Sequence, residues 1–146
     1  MGLTFKIAVS LDEKKAVLAM RKKIFVEEQG ISAALDDDGK DENSIHLMAI
    51  NDNGELVASG RLTITQSEGV LSRIAVAKDH RGHSLGKQIV TELEAIAQKN
   101  HVSHLRLSPH AYLEKFYRNL GYQTEPGGEH AVSKYTLLVM NKPLTT

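Results

Sequence analysis

The segment Arg81-Gly82-His83-Ser84-Leu85-Gly86-Lys87 constrains the fold of this 146-residue chain more than any other. It follows the apolar run Ile74-Ala75-Val76 and opens an amphipathic pattern in which Leu85, Ile89, Leu93, Ile96 and Ala97 recur at helical spacing. A strand, a short glycine-bearing loop and a helix start in that order form an anion cradle. The first N–H groups of a helix have no partner within it, and the macrodipole places partial positive charge at the same end. Gly82 and Gly86 let the backbone approach an anion closely.

The length fits one domain, residues 1–146, with 41% apolar residues for a core. Lys+Arg and Asp+Glu are both 18, so the basic excess of a nucleic-acid binder is missing. There is no cysteine, which excludes disulfides, thiolate metal sites and a cysteine nucleophile. No run approaches the ~20 apolar residues that span a bilayer. Residues 1–10 lack the pattern of a secretory signal, and a cytoplasmic protein with no membrane contact is the expectation. The seven histidines include the pairs His80/His83 and His101/His104, but no carboxylate completes either at ligand spacing, and no metal is expected.

Thr4 to Val9 reads as a strand. Ser10-Leu11-Asp12-Glu13 has the form of a capping box, and the pattern predicts a helix to about Val26. Val17, Ile24 and Phe25 share a face of that helix with Arg21. Gly30 to Ser44 is acidic and irregular. Strands are expected over Ile45–Ile50, Leu56–Thr65 and Val70–Val76, with turns at Asn51–Gly54 and Gln66–Gly69. After the loop and its helix comes a strand, Val102 to Ser108, stopped by Pro109. A last helix carries Leu113, Phe116, Tyr117 and Leu120 and ends at Gly121. Tyr135 to Met140 reads as one closing strand. The order predicts an α/β fold: a mixed sheet with helices on its faces and a βαβ crossover through the glycine loop.

Arg81-Gly82-His83-Ser84-Leu85-Gly86 and, thirty residues on, Phe116-Tyr117-Arg118-Asn119-Leu120-Gly121-Tyr122 together resemble the GCN5-related N-acetyltransferases (GNAT). The order of elements agrees over the whole chain. The resemblance implies a mostly antiparallel sheet with a splayed strand pair that takes acetyl-CoA. The pantetheine arm would lie along Ile74, Ala75 and Val76, and the pyrophosphate on residues 82–87, with Arg81 and Lys87 adding charge. It implies that His110 faces the pantetheine. Tyr117 becomes the candidate general acid for the leaving thiolate, and the acceptor amine attacks the thioester directly. Ser84 departs from the family pattern, which has glycine there, and serine is disfavoured at positive φ.

Arg21-Lys22-Lys23-Ile24-Phe25-Val26-Glu27-Glu28-Gln29, followed by Asp36, Asp38, Asp41 and His46, looks like the ElaA/YjcF-like branch of that family. Arg21, Phe25, Glu28, Asp38 and Arg73 are then the candidate acceptor-side residues. The acidic segment has two readings: it holds a cationic acceptor, or it pairs with Arg21, Arg61 or Arg73. The implied partners are acetyl-CoA and a small amine or peptide, on a fold that often forms homodimers. A second resemblance, through Arg21…Phe25, the acidic segment, Arg61-Leu62 and Arg73, is to the acyl-homoserine-lactone synthases. Those enzymes usually carry a tryptophan that this chain lacks. A non-catalytic CoA-binding domain is a third reading.

Overall fold

The structure, a computed structural model, describes residues 2–144 with the exception of His83. Strand β1 (Leu3–Ile7) leads into helix α1 (Leu11–Arg21). The Ser10 hydroxyl accepts from the Glu13 N–H at 3.1 Å, and the Glu13 carboxylate accepts from the Ser10 N–H at 3.0 Å. This reciprocal pair satisfies two of the orphan donors at the helix start. The helix does not continue as regular α to Val26. From Lys22 to Glu28 it widens into a π-helical segment. The N–H of Gln29 reaches the carbonyl of Ile24, and that of Ile31 reaches Phe25. The extra residue per turn shifts the side chains that follow.

A short helix α2 (Ala33–Asp36) and an irregular stretch lead to β2 (Ile45–Asn51), β3 (Leu56–Thr65) and β4 (Glu68–Val76). Helix α3 (Leu85–Lys99) connects β4 to β5 (His104–Leu107). Helix α4 (Glu114–Asn119), β6 (Gln123–Thr124), β7 (His130–Val132), β8 (Tyr135–Leu137) and β9 (Met140–Pro143) follow. The large sheet runs β1-β2-β3-β4-β5-β9-β6, and β7-β8 form a separate hairpin. Only β4 and β5 pair in parallel; their neighbours in the sheet are antiparallel. The predicted mixed sheet with flanking helices is present.

One predicted strand is corrected. Tyr135–Met140 is two strands that serve different sheets: β8 pairs with β7, and β9 pairs with β5. Between them the Leu138 N–H leaves both ladders and donates to the Pro109 carbonyl at 2.9 Å. An alternating apolar pattern records that a segment is extended and half-buried, not which neighbour it joins.

Alternate residues of the central strands face opposite helices. Leu47, Ala49, Leu62, Leu71 and Leu105 form the main core with Leu85, Ile89, Val90, Leu93 and Ala97 of α3. Met48 turns the other way and joins Ala8 and Val17 beneath α1. Where α3 crosses β3 the backbone must be bare. A Cβ on Gly60 would stand 2.8 Å from both Ile89 Cγ2 and Leu93 Cδ1. Among the described residues, no helix is long and apolar enough to cross a membrane. Gly60→Ala is expected to lower stability by about 1–3 kcal/mol through overpacking, read as a shifted midpoint in urea. An unchanged midpoint would contradict this seating of α3.

Candidate active site

The parallel ladder between β4 and β5 joins Glu68–Leu71 to His104–Leu107 and ends there. Beyond Leu71 the backbone of β4 keeps its β3 neighbour, with Ser59 opposite Ala75 and Ala58 opposite Val76, but has no strand on the other side. Two features drive the strands apart. Pro109 cannot donate a ladder hydrogen bond, and β4 bulges. Between Ser59↔Ala75 and Arg61↔Ser72 the register slips, giving β4 one residue more than β3. Arg73, inside that bulge, sits at φ 55°, a conformation that costs a non-glycine residue of the order of 1 kcal/mol.

The splay opens into a cavity of about 390 Å³. Ile74, Arg73, Tyr117, His110, Phe25 and Asp38 all line it, so the structure brings together six of the residues singled out from the sequence. Gln29, Ile31 and Leu35 from the first half of the chain, with Val132 and Leu137 from the β7–β8 hairpin, complete the wall. Sequence reasoning missed these. Gln29 closes the same Arg21–Gln29 motif and could have been found. The hairpin residues follow from the split of the predicted closing strand and carry no local signal.

Three arginines and three aspartates build the floor on the acceptor side. Arg21 is 1% exposed and bonds Asp41 at 2.6 Å and the Asp36 carbonyl at 3.0 Å. Arg61, 3% exposed, forks onto the two Asp38 oxygens at 2.9 and 2.7 Å and reaches Asp41 at 3.0 Å and the Ser72 hydroxyl at 2.9 Å. Arg73 holds the carbonyls of Leu35 and Asp36 at 3.1 and 3.0 Å, and Asp38 at 3.4 Å. His46 Nε2 adds a bond to the Asp41 carbonyl at 2.9 Å. The acidic segment therefore pairs with all three candidate arginines. The Arg61 guanidinium holds the Asp38 carboxyl far below the usual carboxylate range. Asp41 is also lowered: burial opposes ionisation, and the hydrogen bonds from Arg21 and Arg61 outweigh it.

Arg21 and Glu28 do not line the cavity. Arg21 is consumed by the ion pairs just described. Glu28 ties the π-helical segment to the glycine loop through Arg81 Nη2 at 3.0 Å, while Arg81 Nε donates to the Val76 carbonyl at 2.9 Å. Arg81 is thus a strut between the two halves of the site.

The glycine loop lies at the open end of the splay. Gly82 has φ 84° and Ser84 has φ 60°. Serine does adopt the left-handed conformation expected to favour glycine there. Its side chain makes no capping bond, so the first turn of α3 has no side-chain cap. A Cβ on Gly82 would meet nothing within 4 Å, and one on Gly86 would meet only Phe116 Cζ at 3.9 Å. Tight packing within the protein therefore does not explain either glycine. Exposed Lys87 lines a shallow depression with Ser84, Gln88 and Thr91. His83 lies outside the described residues.

Tyr117 is 5% exposed, its ring set edge-on against Phe116 at 4.9 Å and Tyr122 at 5.9 Å. The Tyr122 hydroxyl donates to Glu94 at 2.7 Å, whereas no hydrogen bond to the Tyr117 hydroxyl is present among the described residues. Burial pushes the Tyr117 hydroxyl up to about 12. It stays protonated across the whole neutral range and is available to donate.

The pairing of Asp38 and Asp41 sets a sign for acid stability. Their folded pKa values lie below the unfolded ones, so their stabilisation is complete above about pH 5 and is lost as pH falls below about pH 4. The melting temperature is expected to be flat from pH 7 to about 5 and to fall below about 4. Asp38→Asn is expected to melt lower at pH 7 and to show a shallower acid limb. A limb of unchanged steepness would show that this network does not control it.

These elements agree with known proteins. Residues 15–122 match the acetyltransferase (GNAT) family. The uncharacterized N-acetyltransferase YjcF of Bacillus subtilis (strain 168) is 30% identical over 117 residues, covering 80% of this chain and 83% of that protein. ElaA of Escherichia coli superposes with TM-score 0.86 at 21% identity, over 97% of this chain and 99% of ElaA. The PaiA N-acetyltransferase of Thermoplasma acidophilum, in complex with coenzyme A, superposes with TM-score 0.74 at 17% identity, over 99% of this chain and all of that one. At those identities the two structures establish shared fold. With the family match across most of its length, the sequence likeness to YjcF and a cleft made by splayed strands, the chain belongs to the GNAT family of acetyltransferases, in the branch of YjcF.

Proposed function

We propose that the protein transfers the acetyl group of acetyl-CoA to a primary amine of a small molecule or peptide. The observation that carries this reading is one continuous path. The uncapped start of α3 opens beside the unpaired edge of β4, and that edge runs into the cavity holding the Tyr117 hydroxyl. A CoA thioester has this layout: a pyrophosphate, an extended amide-bearing arm and a reactive carbonyl.

The backbone N–H groups of residues 82–87 bind the pyrophosphate, with Lys87 adding charge. The arm adds as a strand against Ile74 and Ala75. Arg81 already takes the Val76 carbonyl, so the arm's hydrogen bonds fall deeper, toward the bulge. The amine attacks the carbonyl carbon, the C–N bond forms and the C–S bond breaks. Tyr117 gives its proton to the departing thiolate, which has no other placed donor in the cavity wall nearby. A phenol raised to about 12 by burial is a weak acid in the ground state. It is better matched to a thiolate leaving in the same dry cavity, where the thiolate is also made more basic by desolvation.

The acceptor side is apolar, through Phe25, Ile31, Leu35, Val132 and Leu137. Its carboxylates are committed to arginines, so a cationic acceptor gains no free carboxylate from the acidic segment. An amine with an apolar body fits this wall.

Acetyl-CoA is expected to raise the melting temperature, by the equivalent of about 2.7 kcal/mol at a hundredfold excess over Kd. No shift at millimolar acetyl-CoA would overturn the reading. Tyr117→Phe is expected to lower the rate of thiol release about 10²-fold or more while leaving the acetyl-CoA-induced shift intact. Unchanged turnover at a chemistry-limited step would remove Tyr117 as the acid.

A further inference from the structure

Acetyl transfer needs one more proton removed than Tyr117 accounts for. A primary amine is protonated at neutral pH and cannot attack until it loses a proton. The cavity wall contains few groups that could take it. Asp36 is ion-paired with Arg21 and Arg73 at 3.2 Å each. Asp38 is ion-paired with Arg61 at 2.7 Å and Arg73 at 3.4 Å. Lysine and arginine cations have no lone pair to offer. Glu28 is held by Arg81 and lies outside the wall.

His110 remains. It lines the cavity, and its Nδ1 is buried with no hydrogen-bond partner. A buried polar atom without a partner is costly, and such atoms in native proteins call for an explanation such as a ligand. The ring is held in place from two sides. Tyr112 stacks on it at 5.3 Å, and Tyr135 meets it edge-on at 4.7 Å. Tyr135 is itself anchored, its hydroxyl donating to the Gln29 carbonyl at 3.0 Å. A backbone bridge from His110 to Leu137 fixes the main chain.

We propose that His110 is the general base that deprotonates the acceptor amine, a role that rests on the acetyl-transfer reading above. The imidazole lone pair takes one ammonium proton, and the freed amine attacks the thioester carbonyl. The tetrahedral adduct expels the thiolate, which takes the Tyr117 proton. The tyrosinate then recovers the remaining proton from the new amide nitrogen. The imidazolium releases its proton to solvent, so one amine and one thioester give one amide, one thiol and one proton. Burial lowers the His110 pKa, which leaves the ring neutral and able to accept at pH 7. The titratable groups around the ring are Tyr112 on its own turn, Tyr135 on β8, Tyr117 on α4 and, beyond Tyr135, Lys134 at 5.6 Å from that ring. The nearest of these are phenols, neutral at pH 7, and the one cation among them opposes protonation of the imidazole.

The test joins two measurements on the full chain. In the first, the His110 ring resonances are titrated by NMR with and without CoA, assigned with His110→Asn. A midpoint below the ordinary histidine value is expected, and a ring charged at pH 7 overturns the proposal. In the second, thiol release from acetyl-CoA at pH 7 is followed with n-butylamine, which is protonated, and methoxyamine, which is neutral. His110→Asn is expected to lose about 100-fold with n-butylamine and to keep nearly the parent rate with methoxyamine. Equal losses with both amines would mark a merely structural histidine and overturn the assignment. If CoA fails to stabilise the parent protein, the acetyl-transfer reading fails instead. If CoA binds and the variant matches the parent with n-butylamine, only the assignment of His110 fails.

Discussion

The ion-pair lattice of Arg21, Arg61 and Arg73 with Asp36, Asp38 and Asp41 is the interaction on which the site depends. It joins α1, the irregular acidic stretch, β3 and the bulge of β4. None of these would otherwise hold the others at a fixed distance. Arg21 and Arg61 are nearly inaccessible, and a buried guanidinium is tolerable only when its donors are matched. Removing one member leaves the opposite charge unpaired, so the six behave as a unit. Arg73 is held in a left-handed conformation by carbonyls of the acidic stretch, and its bulge helps to part β4 from β5. The charge lattice and the strand splay are therefore one construction.

This division of labour explains the chemistry assigned to each wall. Charges are gathered on the acceptor side and neutralise one another there. The reacting centre is left to groups that are neutral at pH 7: a phenol kept protonated by burial and an imidazole kept unprotonated by burial. The same desolvation acts in opposite senses on an acid whose charged form is the anion and a base whose charged form is the cation. A cavity of this kind suits proton transfers in which neither partner begins as an ion.

Much of the architecture was legible in the sequence because it rests on periodicity and caps. Ser10 and Glu13 form the capping box that their spacing announces. Leu85, Ile89, Leu93 and Ala97 form the buried stripe of α3. The motif around Arg81–Gly86 and that around Phe116–Tyr122 led to the family. What escaped was set by partners distant in sequence. The π-helical turn after Arg21 leaves the apolar residues in place and changes only which carbonyl each N–H meets. The split at Leu138 depends on the Pro109 carbonyl, nearly thirty residues earlier. The acidic segment showed its charge in the sequence, but only the sheet register brings Arg61 and Arg73 to it. The unpartnered Nδ1 of His110 is likewise a property of packing.

The central claim is that the start of α3 and the free edge of β4 together grip an acyl-CoA. Amide hydrogen exchange with and without acetyl-CoA tests it most directly, because both elements are backbone binders. The account expects slowed exchange at residues 82–88 and at Ile74 to Val76, with the far edge β1 unchanged. Protection absent from both segments at saturating acetyl-CoA, or confined to another face of the sheet, would contradict it.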